Sequence, residues 1–258
     1  MNLINSIILA IVQGFTEFLP ISSSGHLAIM QNIFKFTESP VFFDILLHLG
    51  TLLSVLIFLR KDIIEIFKGF FTFKKPYMIL ILKIIIAEIP ALLGGLFLND
   101  KIKMLFLSPK YIGIAYFGTA LILFLTYYLT KERKDINNIT YLDALIIGLF
   151  QYMALIPGFS RSGFTLFGAL LIGMIKKDSV KFSFLIAIPA IIGAFIFESF
   201  SLTDIYKIPL NISIISFLVS FLAGLCGIYL LYSILKRSKL YIFGFYCLIL
   251  GIILVRFF

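Results

Sequence analysis

Apolar residues run along this chain in six uninterrupted segments, at about 41–59, 77–98, 111–129, 181–198, 212–235 and 241–257. A helix of about 20 apolar residues crosses the hydrocarbon core of a bilayer, and each segment approaches or exceeds that length. The pattern therefore predicts about six spanning helices, separated by short polar stretches.

Two further apolar stretches, at about 3–34 and 140–175, are broken in the middle by polar and helix-breaking residues. The first break is the segment 20–24 (PISSS), and the second is the segment 157–162 (PGFSRS). Irregular backbone at membrane depth is tolerated only where it is buried in protein or lines a cavity. We therefore expect each stretch to form a re-entrant helix-loop-helix pair.

The composition agrees with this pattern. Hydrophobic residues make up 61% of the chain and charged residues only 14%, and the mean hydropathy is +1.09. These values lie far outside the range of soluble domains. The sequence predicts an all-α polytopic membrane protein in which 1–258 is one integral membrane domain. The first 34 residues contain no Lys or Arg, so a cleaved signal peptide is not expected.

The basic residues predict an orientation. Fourteen of the 22 Lys and Arg residues fall in the segments 60–76, 130–140, 176–181 and 236–239. Cytoplasmic loops carry the excess of positive charge, so we place these four segments on the cytoplasmic side. The net charge of +9 is then mostly topological and requires no nucleic-acid partner.

The two broken stretches are related by a shift of 138 residues, which aligns Gln13 with Gln151, Ser22 with Ser160, and Ser24 with Ser162. The predicted topology makes the two halves, 1–135 and 139–258, an inverted repeat. Inverted repeats place a binding site near the bilayer midplane, where the N-termini of broken helices can face an anion. We expect both breaks to meet at one such site.

Arg161 indicates what that site binds, because an unpaired guanidinium at the bilayer centre costs at least about 2.5 kcal/mol. A phosphate suits it well, since the planar guanidinium makes bidentate contacts and the neighbouring hydroxyls and turn amides add donors. The predicted phosphate-binding residues are Arg161, Ser160, Ser162, Ser22, Ser24 and Gln13. The alternative is an internal ion pair between Arg161 and Glu17 with no ligand.

Four residues around the first break carry further candidate chemistry. Gln13 and Glu17 share one helix face, and Ser23 and His26 share the next. A serine can attack phosphorus when a base takes its proton, and histidine often serves in that step. Glu17 would orient His26 or bind a divalent cation that neutralises phosphate charge. The alternative for His26 is a packing role with no part in chemistry.

The segments QGFTEFLPISSSGHL at 13–27 and PGFSRSG at 157–163 resemble the two signature segments of the undecaprenyl-diphosphate phosphatase family, which is known for bacitracin resistance. The resemblance covers essentially the whole chain in order, spacing and hydropathy. It implies a multi-pass enzyme of the bacterial cytoplasmic (inner) membrane that removes the terminal phosphate of undecaprenyl diphosphate. The product is the lipid carrier used in cell-wall synthesis.

We expect Ser23, His26 and Glu17 to form the catalytic set, with Ser23 as nucleophile, and the resemblance points to the same residues. It further implies a divalent cation, Mg or Ca, with Glu17 as its ligand, and a site open to the outer face. Gln13 stands where some members have Glu, which puts a two-carboxylate metal site in doubt. Direct attack by water is the mechanistic alternative, and a lipid-phosphate or anion transporter is the functional one.

Four polar residues in spanning segments fall outside this scheme, namely Asp44, His48, Lys83 and Glu88. Asp44 and His48 are four apart and would share a face, directed either to the first break or to the outer interface. Lys83 and Glu88 are five apart, a poor helical pair, so we expect each to meet a partner on another helix. The alternative for Glu88 is a role in the site. The sequence leaves open whether the chain forms a homodimer.

Overall fold

The computed structural model describes residues 2–35, 40–106, 108–129, 132–199, 208–236 and 239–257, apart from the side chains at 40, 99, 100 and 103. These residues form eleven α-helices and one short 3-10 helix, Thr126–Tyr128. The helices are α1 Leu3–Phe18, α2 Ser23–Ile33, α3 Pro40–Phe58, α4 Arg60–Phe71, α5 Lys75–Phe106, α6 Pro109–Leu125, α7 Tyr141–Met153, α8 Arg161–Leu171, α9 Lys176–Ser199, α10 Leu210–Lys236 and α11 Tyr241–Phe257.

The protein is an all-α polytopic membrane protein, as the hydropathy pattern predicts. Five helices of the described chain are long and apolar enough to cross a membrane: α3, α5, α9, α10, and α6 together with the 3-10 helix that extends it to Tyr128. The sixth predicted segment forms α11, which is apolar but has only 17 residues. The re-entrant pairs are α1 with α2 and α7 with α8, and each of these four helices has 16 residues or fewer.

Helix α4 is the element that the apolar segments do not predict. It occupies Arg60–Phe71, within a segment expected to be a cytoplasmic loop. Charged and apolar residues alternate there at helical spacing, so no apolar run marks the helix. Two other parts of the segments assigned to the cytoplasm, 130–131 and 237–238, lie outside the described residues.

The packing of the helices crosses between the halves of the chain. Helix α1 packs against α10, α7 packs against α5, and α6 packs against α11. Small residues make these approaches close: a Cβ built on Gly14 would lie 2.4 Å from the Ala223 Cβ, and one on Gly148 would lie 2.3 Å from the Ala87 carbonyl oxygen. Membrane helices associate through such small residues because lipid leaves no hydrophobic driving force between them. The repeat boundaries at 1–135 and 139–258 stay a prediction.

Candidate functional site

The first break joins α1 to α2 through Leu19–Ser22. Helix α2 begins at Ser23, and its N-cap is Ser22, whose Oγ accepts a hydrogen bond from the Gly25 backbone N–H at 3.3 Å. A serine cap satisfies an amide that the helix itself leaves without a partner. Ser22 adopts φ 65° and ψ 92°, a left-handed conformation that residues other than glycine rarely take.

The second break joins α7 to α8 and repeats the same cap. Helix α8 begins at Arg161, and the Ser160 Oγ accepts from the Gly163 backbone N–H at 3.2 Å. Thr119 on α6 fixes the loop, because its Oγ1 donates to the Gly158 carbonyl at 2.9 Å and accepts from the Ser160 backbone N–H at 3.1 Å. The two breaks therefore have equivalent caps at positions 138 residues apart.

The two breaks lie against each other. The Ser162 hydroxyl donates to the Leu19 carbonyl oxygen at 3.0 Å. The Arg161 guanidinium pairs with the Glu17 carboxylate, through its Nη2 and the Glu17 Oε1. The expected meeting of the breaks is thus a feature of the structure, and so is the Arg161–Glu17 ion pair that the sequence offered as an alternative.

Glu17 is the hub of the polar contacts. Its side chain is only 3% exposed, and its Oε2 accepts hydrogen bonds from the Ser23 hydroxyl at 2.7 Å and from the Gln13 amide at 2.9 Å. The His48 Nε2 lies 3.6 Å from the same oxygen. These donors and the Arg161 charge compensate the cost of burying a carboxylate.

A cavity of about 860 Å³ opens beside this hub. Its polar lining comes from both breaks and includes Glu17, Ser22, Ser23, Ser24, Ser160 and Arg161. The remaining lining is mostly apolar and includes Leu27, Ile45, Phe106, Leu155, Phe159 and Ile191. It also contains the polar residues Gln31, Asn32, Lys35, Asp44, His48 and Glu198. The cavity therefore offers a charged, hydroxyl-rich end together with apolar walls, an arrangement suited to an amphiphilic ligand.

Three of the predicted site residues do not line this cavity: Gln13, Ser162 and His26. Gln13 donates to Glu17, which does line the cavity, and Ser162 donates to the Leu19 carbonyl oxygen in the first break. The structure does not bring His26 to Ser23. The His26 ring nitrogens instead contact the Ser22 carbonyl oxygen, Tyr116 and Tyr246, so the expected serine–histidine pair is not the arrangement found.

Sequence reasoning left His48 and Asp44 unassigned, and both line the cavity. The His48 Nδ1 donates to the Asp44 carbonyl at 2.7 Å, which directs Nε2 toward Glu17. The Asp44 Oδ1 accepts from the Gln31 amide on α2 at 2.6 Å. The spacing of four residues was the available signal for a shared face, but the position of Asp44 near the start of its helix favoured the outer interface over the first break.

Of the other two unassigned residues, Glu88 meets a partner on another helix as expected, whereas Lys83 meets a loop carbonyl instead. The Lys83 Nζ donates to the Asn137 carbonyl oxygen at 2.7 Å. The Glu88 Oε1 accepts from the Gln151 amide on α7 at 2.9 Å. Both contacts compensate polar groups inside the bundle.

In this structure the contacts of Glu17 leave neither of its carboxylate oxygens without a donor, so the divalent cation that the family resemblance implies has no ready ligand there. Both Glu17 oxygens already meet donors, from Arg161 on one side and from Ser23 and Gln13 on the other. The Gln13 Oε1 is a buried oxygen without a hydrogen-bond partner among the described residues, but it is neutral and would be a single ligand. The described part of the chain holds no group of three or more His, Cys, Asp or Glu side chains placed to bind a metal.

Comparison with known proteins identifies the family. The family described as "Bacitracin resistance protein BacA" matches residues 6–253. A protein of Thermosipho africanus named undecaprenyl-diphosphatase is 47% identical over 250 residues, covering 96% of this chain and 98% of the relative. Proteins of the same name from Methanococcus maripaludis and Carboxydothermus hydrogenoformans are 44% and 40% identical, covering 97% and 98% of this chain and 98% and 96% of the relatives. The chain belongs to the bacitracin resistance protein BacA family.

Proposed function

We propose that this protein hydrolyses undecaprenyl diphosphate to undecaprenyl phosphate and inorganic phosphate. The observation that carries the proposal is the juxtaposition of Ser23, Glu17 and Arg161 in a cavity that also has apolar walls. The relatives with this name span the same length of chain and support the same activity. A carrier of lipid phosphates or anions is not favoured, since family and relatives alike indicate an enzyme.

The shape of the cavity suits the two parts of this substrate. The apolar walls would accept the first isoprene units of the chain, whose burial contributes roughly 25 cal/mol per Å² removed from water. The hydroxyls of Ser22, Ser24 and Ser160 and the Arg161 guanidinium would surround the diphosphate. Backbone amides at the start of α2 and α8 add donors that favour an anion.

Ser23 is the nucleophile in this proposal. Its Oγ attacks the terminal phosphorus and forms a new P–O bond, while its proton passes to the Glu17 Oε2, which already accepts it at 2.7 Å. The bond between the terminal phosphorus and the bridging oxygen breaks, and undecaprenyl phosphate leaves with that electron pair. Water then attacks the phosphoserine phosphorus and the bond from phosphorus to the Ser23 Oγ breaks. Glu17 returns its proton to that Oγ, and both protons of the water leave on the inorganic phosphate.

Arg161 has to change partners in this scheme. In the structure it is paired with Glu17, and its Nη1 donates to the Ala187 carbonyl at 3.3 Å. A diphosphate carries more charge than the carboxylate and would compete for the guanidinium. The exchange would stabilise charge on the transferring phosphoryl group and free the Glu17 carboxylate to take the serine proton.

The Mg or Ca ion stays a prediction, and none of the proposed reaction steps uses it. The same holds for the bacterial inner membrane as the location, for the outer face as the side on which the site opens, and for a homodimer. The multi-pass membrane character itself agrees with the five long apolar helices. Labelling of single cysteines placed near Ser23 and Ser160 with an impermeant reagent would test the side of access.

The activity is tested by measuring phosphate release from undecaprenyl diphosphate by the purified full-length protein in detergent. We expect release of one phosphate per substrate, and no release from undecaprenyl phosphate, because the scheme cleaves only the anhydride bond. The assay is run with and without a chelator to test the predicted cation. A folded protein that releases no phosphate when Mg or Ca is supplied would contradict the proposal.

A further inference from the structure

The side chain of His26 does not lie on the face of α2 that lines the cavity. On α2 the cavity is lined by Ser23, Ser24, Leu27, Ala28 and Gln31, which share one face at helical spacing. His26 is not part of that lining, and its contacts go to Tyr116 on α6 and Tyr246 on α11. The imidazole therefore lies on the far side of α2 from the substrate cavity.

Both nitrogens of the His26 ring are engaged there. The Nδ1 lies 2.7 Å from the Ser22 carbonyl oxygen and 2.8 Å from the Tyr116 hydroxyl. The Nε2 lies 2.6 Å from the Tyr246 hydroxyl, and the His26 and Tyr246 rings are nearly parallel, at an interplanar angle of 6°. A consistent assignment has the Nδ1–H donating to the Ser22 carbonyl and the Tyr246 hydroxyl donating to Nε2.

These contacts converge on the strained residue of the first break. Ser22 has φ 65°, and a residue other than glycine in that region is maintained only where its surroundings hold it. Its carbonyl oxygen is within hydrogen-bond distance of three donors: the His26 backbone N–H at 3.2 Å, the His26 Nδ1 at 2.7 Å and the Tyr116 hydroxyl at 3.3 Å. The conformation of Ser22 sets where the next residue, Ser23, begins α2.

Gly25 leaves the space that this cluster needs. A Cβ built on Gly25 would lie 2.7 Å from the Tyr116 hydroxyl oxygen, closer than real Cβ atoms approach. Tyr116 is fully buried, so its hydroxyl has little room to move away. The absent side chain lets the Tyr116 hydroxyl reach both the Ser22 carbonyl and His26.

We propose that His26 is a positioning residue, which together with Tyr116 and Tyr246 clamps the Ser22 carbonyl and thereby aims the Ser23 Oγ at Glu17 and the cavity. His26 exchanges no proton with the substrate. The role assigned to Ser23 rests on the proposed phosphatase function, whereas the clamp itself rests on the contacts of His26. Tyr246 extends the clamp to α11, so this helix from the end of the chain supports the first break.

Substitution of His26 separates a clamp from an acid or base. Asparagine can still donate its amide N–H to the Ser22 carbonyl from near the position of Nδ1, but it cannot transfer protons as imidazole does. We expect His26→Asn to retain kcat within about tenfold of the wild type, as for loss of one partner in a hydrogen-bond network. His26→Ala should lose clearly more, and KM should stay unchanged in both variants because the cavity lining is intact.

Tyr246→Phe is the second variant, and it removes only the hydroxyl that contacts Nε2. We expect kcat to fall about threefold to tenfold, with KM and the midpoint of thermal unfolding within error of the wild type. The matched control is Tyr229→Phe, because Tyr229 is an exposed tyrosine whose ring packs on Phe58 and takes no part in the contacts of His26. It should leave kcat unchanged.

The rates of these variants distinguish a clamp from proton transfer by His26. Rescue of kcat by His26→Asn relative to His26→Ala, together with a loss in Tyr246→Phe, supports the clamp. A loss of about 100-fold or more in His26→Asn, equal to that in His26→Ala, with Tyr246→Phe unaffected, assigns proton transfer to His26 and overturns the clamp. An inactive wild type would instead contradict the phosphatase function, so the two failures are distinguishable.

Discussion

Removal of Arg161 alone should destabilise the protein more than removal of Arg161 and Glu17 together, because only the single variant leaves the Glu17 charge buried without its partner. Breaking a buried pair costs about 3–5 kcal/mol, since one charge is left buried without compensation. Here the side chains are 22% and 3% exposed, so the buried charge at risk is that of Glu17. Ser23 and Gln13 still donate to it in Arg161→Gln, and the cavity admits water, so we expect a loss near the lower limit, about 3 kcal/mol.

Glu17→Gln should cost less, about 1–2 kcal/mol, because the Arg161 guanidinium keeps the Ala187 carbonyl and reaches the cavity. The double variant Glu17→Gln/Arg161→Gln contains no unpaired charge. We expect it to be at least about 2 kcal/mol more stable than the sum of the single effects predicts. The free energies of unfolding are measured for the four proteins in mixed micelles by far-UV circular dichroism.

A matched control is the ion pair between Lys176 and Glu132, whose side chains are 33% and 36% exposed. Exposed pairs of this kind contribute about 0–1 kcal/mol, so the cycle Lys176→Gln and Glu132→Gln should show a coupling within that range. Additive effects of Arg161→Gln and Glu17→Gln, with a coupling no larger than that of the control pair, would refute the buried pair as described.

Three other predictions concern the first break and its neighbour. Gly25→Ala should lower both stability and activity, because the new Cβ meets the Tyr116 hydroxyl. The control Gly95→Ala has no atom within 4 Å of its new Cβ and should be neutral or slightly stabilising. Thermal unfolding and phosphate release are measured for both variants. Ser162→Ala should cost about 1 kcal/mol in unfolding free energy through loss of the hydrogen bond to the Leu19 carbonyl. Acid quenching of turnover with labelled substrate should trap a phosphoserine at Ser23, and mass spectrometry that finds none would favour direct attack by water.

Much of the architecture could be predicted because its causes are local. Proline, glycine and serine interrupt apolar runs at 20–24 and 157–162, and the breaks lie there in the structure. Long apolar runs also predicted the spanning helices, with bounds that shift by a few residues, although α5 continues to Phe106. The sequence pattern did not predict the amphipathic helix α4, because a charged stretch at a membrane boundary contains no uninterrupted apolar run.

The contacts within the site depend on tertiary packing and could be predicted only in part. The high cost of an unpaired charge predicted an anionic partner for Arg161, but Glu17 was only the alternative to a bound phosphate. The spacing of Ser23 and His26 suggested a catalytic pair, yet the helix turns His26 toward Tyr116 and Tyr246, residues remote in sequence. Likewise, no sequence pattern could bring the His48 Nε2 to within 3.6 Å of Glu17.

The most direct test of a single phosphatase site built from both breaks is phosphate release from undecaprenyl diphosphate by three purified proteins: wild type, Ser23→Ala and Arg161→Ala. We predict release by the wild type and a loss of about 100-fold or more in each variant, since one removes the nucleophile and the other the charge that stabilises the transferring phosphoryl group. Wild-type rates in either variant, with the protein folded, would contradict the account.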